Sequence, residues 1–125
     1  MQVLDLEALT EATKDATDRE LDQIDSALKS GEAAPGALVR KGTLHLKRGE
    51  LDAALETFSR AVALQGGAAA LGGRAKAQLG LGVPVAAAKD LAEALNLEPG
   101  SAELHFDLGL ALQAQGRHTE AVGEF

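Results

Sequence analysis

A chain whose small and large apolar residues return every 33 to 34 positions has little choice of fold. Each unit must bury its apolar face on the next one, and a stack of such units results. Small residues recur at Ala8, Gly42, Ala75 and Gly109, spaced 34, 33 and 34. Ala54, Ala87 and Ala121 form a second small series. Large apolar residues recur at Ile24, Phe58, Leu91 and Phe125, with Ala27, Ala61, Ala94 and Leu28, Val62, Leu95 in step. Gly49, Gly82 and Gly116 mark the middle of each unit, and Gly66-Gly67 and Pro99-Gly100 mark two of the ends.

Within a unit the apolar spacing is helical. Leu51, Ala54, Leu55, Phe58, Ala61 and Val62 fall on one face of a helix, as do Val85, Ala88, Leu91, Ala94 and Leu95. Thr17 with Glu20 predicts a capping box, Pro84 suits the first turn of a helix, and Ser101 after Pro-Gly predicts an N-cap. Each unit is therefore expected to be two antiparallel helices around a tight glycine turn, and the chain all-α.

Composition narrows the function. The 125 residues include no cysteine, which removes thiolate chemistry, zinc-thiolate sites and disulfides. Aromatics are 2% and the net charge is -7, which oppose base stacking and phosphate binding. No apolar run approaches the 18 or so residues of a spanning helix, and the N-terminus is acidic where a secretory peptide is basic. Neither nucleic acid nor membrane is an expected partner, and the expected location is cytoplasmic. Residues 1–34 carry nine acids and three bases, or -6, which leaves -1 for the remaining 91. That first segment reads as a solvated cap on a more regular array.

The segment HFDLGLALQAQGRHTEAVGEF, with Leu108-Gly109, Gly116, Ala121 and Phe125, resembles the tetratricopeptide repeat, as do Gly42, Gly49, Ala54, Phe58, Ala61 and Ala75, Gly82, Ala87, Leu91, Ala94, Pro99. The resemblance implies a right-handed α-solenoid of antiparallel helix pairs. Three repeats are placed at 35–67, 68–101 and 102–125, after a degenerate N-terminal pair in 1–34 that lacks the turn glycine and has Glu20 where a small residue is usual. The family's Trp and Tyr positions hold Leu38, His45, Leu71, Gln78, His105, Leu112 and His118, so lighter packing is expected. The last repeat stops at Phe125, within its second helix; either the chain is part of a longer one, or another subunit covers the edge.

Candidate sites are few. His45, His105 and His118 take the places of packing aromatics and read as partly buried structural histidines rather than ligands or bases. Gly66-Gly67 and Gly72-Gly73 lack the context of a phosphate loop and read as turn and close-packing glycines. No catalytic constellation is present, so neither an enzyme nor a cofactor is expected.

What the resemblance implies instead is a concave surface lined by the first helix of every pair, where a peptide or partner helix lies. The first helices of the two middle repeats contain Arg40, Lys41, Lys47, Arg48, Arg74 and Lys76 and no acid, whereas their partners hold Asp52, Glu56, Asp90 and Glu93. The groove candidates are Val39, Arg40, Thr43, Leu46, Lys47, Lys76, Leu79, Phe106 and Leu110. Basic flanks on an apolar floor suit an acidic, partly hydrophobic segment; alternatively the long bases only solvate the groove. The family's chaperone-tail clamp is not expected, since its places hold Val39, Thr43, Gly73, Glu103 and Asp107. The expected function is a non-catalytic protein-interaction scaffold, with two alternatives: an N-terminal accessory module of a larger, possibly enzymatic, protein, or self-assembly through the C-terminal edge.

Overall fold

The helices begin and end where the local chemistry of the backbone dictates. The computed structural model of the chain describes residues 16–29 and 34–116, and the chain falls into two units, Met1–Ala33 and Ala34–Phe125. The first contains α1 (Ala16–Lys29), an amphipathic helix that buries Leu21 and Ile24. It is already helical at Ala16, so Thr17 lies inside the first turn and not at the cap position expected of it.

The second unit holds five helices: α2 (Pro35–Lys47), α3 (Leu51–Ala63), α4 (Gly67–Gly80), α5 (Pro84–Leu97) and α6 (Ala102–Ala114). No strand occurs among the described residues. Proline opens α2 and α5, where its missing N–H is no loss. The Ser101 hydroxyl accepts a hydrogen bond from the Leu104 N–H at 3.3 Å and caps α6.

Helix ends are set by left-handed residues. Gly49 and Gly82 have φ of 73° and 78°, and the residue after each returns its N–H to a carbonyl five positions back, Glu50 to His45 and Val83 to Gln78, both at 2.9 Å. Two otherwise unpaired carbonyls per helix are satisfied this way. Between repeats the same closure uses Gln65, with φ of 61°, and Gly66 N–H bonds to the Ala61 carbonyl at 2.8 Å. The left-handed residues at that junction are Gln65 and, with φ of 71°, Gly67 of the expected Gly66-Gly67 pair. Gly66 is needed for space instead, because a Cβ there would come within 2.8 Å of the Ala61 carbonyl oxygen and 2.7 Å of the Ala70 methyl.

Each helix packs on the next in sequence, α2 on α3 through to α5 on α6. First helices also touch each other, α2 with α4 and α4 with α6, whereas α3 and α5 do not touch. An array whose first helices are close and whose second helices are apart is curved, with the first helices on the inside. The second unit is a solenoid of helix pairs, as the period requires.

Its packing is organised around Phe58, which is 1% exposed. The ring lies between α2 and α4 where both present glycine: a Cβ on Gly42 would stand 2.7 Å from the ring's Cζ, and one on Gly73 would overlap the ring. Gly72-Gly73 is therefore a close-packing pair inside a helix and not a turn. Alanine at position 73 would gain roughly 1 kcal/mol of helix propensity but force a wedged ring to move, which costs about 1–3 kcal/mol. Gly73→Ala is expected to be destabilising in wild type and stabilising in a Phe58→Leu background. Chemical denaturation of the four proteins in that cycle would show the reversal of sign.

Leu91 occupies the equivalent place in the next repeat, fully buried in a cluster with Leu71, Ala75, Ala87, Ala94, Leu104 and Ala111. Beside it is a charge pair between the two helices of this repeat, α4 and α5. The Arg74 guanidinium donates to both oxygens of Asp90, at 2.7 and 2.8 Å. Asp90 is buried and Arg74 about a quarter exposed, so Asp90 faces inward from α5 instead of outward to solvent. The hydrogen bond to Asp90 holds the Arg74 pKa above its already high ordinary value.

The aromatic positions of the repeat are filled by other means. His45 is partly buried and pairs through Nδ1 with Glu50 at 3.0 Å. His105 is exposed, contrary to expectation, with its Nε2 2.9 Å from the Pro99 carbonyl oxygen. Gln78 leaves its Oε1 buried without a hydrogen-bond partner. His118 lies outside the described residues, as do the expected repeat markers Ala8, Ala121 and Phe125.

Candidate functional site

The first helices of the second unit form a cleft of roughly 340 Å³. α2 supplies Val39, Thr43 and Leu46; α4 supplies Ala68, Ala69, Gly72, Gly73 and Lys76; the start of α6 and the turn before it supply Glu98, Ser101, Glu103, Leu104 and Asp107. Phe58 forms part of the wall from behind. The cleft exists because α4 has glycine at 72, where the equivalent residues of α2 and α6, 33 and 34 positions away, are Val39 and Phe106.

Four of the nine groove candidates line this cleft: Val39, Thr43, Leu46 and Lys76. Arg40 and Lys47 are exposed on α2 outside the lining. Leu79 is turned to the core, packed against the Leu91 cluster. Phe106 and Leu110, exposed to 64% and 37%, are one turn apart on α6 and outside the lining. In repeat register they continue the row that starts with Val39 and Thr43 and runs through Gly72 and Lys76.

The electrostatics differ from the basic groove expected. Lys76 Nζ bonds to Asp107 Oδ2 at 2.8 Å and to Glu103 Oε1 at 2.7 Å. Asp107 is buried and Glu103 largely exposed. With Glu98 included, the cleft holds one ammonium and three carboxylates, a net -2. The two middle first helices do lack acids, but the third brings its own against Lys76 across 27 and 31 residues of sequence. Sequence counting by repeat does not show this, because the pairing runs between repeats. The signal available was the pair of acids at 103 and 107 in α6, the first helix of the next repeat.

Burial pulls the Lys76 pKa down, and the hydrogen bonds it donates to Asp107 and Glu103 outweigh this, so the net shift is upward from 10.5. The Lys76 hydrogen bond holds the Glu103 carboxyl below its ordinary 4.5. A raised lysine contributes stability that is complete below 10.5 and lost as pH climbs through its folded value; a lowered carboxylate contributes above 4.5 and is lost as pH falls through its folded value. The difference in melting temperature between wild type and Lys76→Met is therefore expected to be widest near neutral pH and to narrow at both ends. Thermal melts from pH 3 to 11 measure it.

The described residues hold no group of three or more histidines and carboxylates arranged for a metal. None of the described helices is long and apolar enough to cross a membrane.

A curved stack of helix pairs with a cleft on its inner side is a helical-repeat protein. The sequence profile of the tetratricopeptide repeat matches residues 21–69 and 73–125, and the chain belongs to that family. A relative, the cytochrome c-type biogenesis protein CycH of Rhizobium meliloti (strain 1021), is 36% identical over 86 residues, which are 66% of this chain and 23% of that protein. The chain thus spans about a quarter of its relative.

Proposed function

We propose that the chain is a non-catalytic protein-interaction module that holds a segment of a partner protein in the cleft between α2, α4 and α6. The observation that carries this reading is the gap at Gly72. Residues of three consecutive first helices surround it, apolar at Val39, Leu46 and Leu104 and charged along α6 and the turn before it, and concave sites that combine an apolar floor with placed polar groups are where ligands are held. A photo-crosslinking amino acid placed at Ala69, exposed at the cleft, should capture a partner in an extract of the source organism, whereas one at Lys89, exposed on α5, should not. Equal capture at both positions would remove the cleft from consideration.

A second reading is that the module is an accessory part of a larger assembly for cytochrome c biogenesis. It rests on the 36% identity to a protein of that description. Replacement of the chromosomal copy by one carrying Ala69→Trp should then lower haem-stained c-type cytochromes in the source organism. An unchanged haem stain at normal protein levels would rule out this role for the cleft.

A further inference from the structure

We propose that the segment held in the cleft carries a bulky apolar side chain beside a lysine or arginine, with the apolar group over Gly72-Gly73 and the cation facing Glu98 and Glu103. This rests on the cleft being the working surface and adds the chemistry of what enters it. The apolar half follows from the lining, since Val39, Leu46, Phe58 and Leu104 surround the space left by Gly72. A Cβ at 72 would stand 3.1 Å from Leu104 Cδ2, so Leu104 packs down onto that glycine and a side chain added there would crowd the cleft floor.

The basic half follows from the charges. Lys76 is the only cation lining the cleft, and its bond to the buried Asp107 neutralises both within the wall. What faces solvent at the rim is Glu103, itself bonded to Lys76 at 2.7 Å, and, across the turn before α6, the exposed Glu98, so the lining keeps a net -2. An incoming ammonium or guanidinium meets Glu98, shares Glu103 with Lys76, and leaves the Lys76–Asp107 bond intact. An acidic segment meets like charge, which disfavours it. The acidic partner expected from Arg40 and Lys76 is replaced by a basic one for this reason.

Selection of random-sequence displayed peptides on the intact 125-residue chain at low salt tests the proposal. Enriched peptides are expected to pair a large apolar residue with lysine or arginine. For a synthetic consensus peptide, calorimetry should show binding weakened at least about tenfold by Gly72→Leu, which fills the opening, and by Ala69→Trp, which obstructs it from an exposed position. Glu98→Gln/Glu103→Gln should weaken binding about tenfold at low salt and flatten its salt dependence. Each variant is first checked for wild-type helicity and melting; if Gly72→Leu misfolds, Ala69→Trp decides alone. Acidic enriched peptides that Ala69→Trp blocks would overturn the charge assignment and leave the cleft as a binding site. Peptides indifferent to the cleft variants, or no enrichment at all, would overturn both.

Discussion

Phe58→Ala is expected to lose about 3–5 kcal/mol, the range for emptying a buried aromatic site. Three features put this residue at the upper end. Its ring is buried and bridges α2, α3 and α4, so its loss separates two repeats and not one pair of helices. The facing residues are Gly42 and Gly73, which have no side chains with which to fill the void. The backbone cannot close in either, because helices joined by three-residue turns move as units. Domains of this size hold roughly 5–15 kcal/mol in all, so the variant should melt well below wild type or be unfolded at room temperature. A melt within a few degrees of wild type would mean that the Phe58 site is not the junction between repeats.

The second large effect is expected at Asp90. Asp90→Ala removes two short hydrogen bonds and leaves the Arg74 guanidinium partly buried without its partner. Loss of one member of a buried ion pair costs about 3–5 kcal/mol; Arg74 is a quarter exposed and recovers some hydration, so about 2–3 kcal/mol is expected. The pair itself is a different matter. Removing both charges in Arg74→Met/Asp90→Leu should restore most of that loss, since two desolvation penalties disappear together with the attraction. Urea denaturation of the two variants separates the cases. A double variant as unstable as Asp90→Ala would mean that the pair stabilises the fold outright.

Much of the fold was readable from spacing because the interactions that form it are local. Helix starts at Pro84 and Ser101 and left-handed ends at Gly49 and Gly82 depend on backbone groups within six residues, and a single sequence displays them. The exceptions were also local but ambiguous. Gln65, a non-glycine, adopts the left-handed conformation as well as Gly67, and α1 is already helical at Thr17. His105 had the register of a packing residue but lies exposed on α6, its Nε2 against the Pro99 carbonyl oxygen.

The candidate site was less legible, and charge was the reason. The 33- to 34-residue period by itself determined helix pairs, their order and the large apolar residue at 58, while the inner position of the first helices followed from the resemblance to the family. The two together could name Val39, Thr43, Leu46 and Lys76 as groove residues because register carries from repeat to repeat. Tertiary structure alone decided which charges meet. Whether Arg74 reaches Asp90 on its own pair, and whether Lys76 reaches Asp107 on the next, depends on offsets of a few ångströms between packed helices. Coulomb and hydrogen-bond energies change over that distance, and a repeat period does not resolve it. The cleft at Gly72 is of the same kind, since a missing side chain becomes an opening only when the helices on either side are fixed in place.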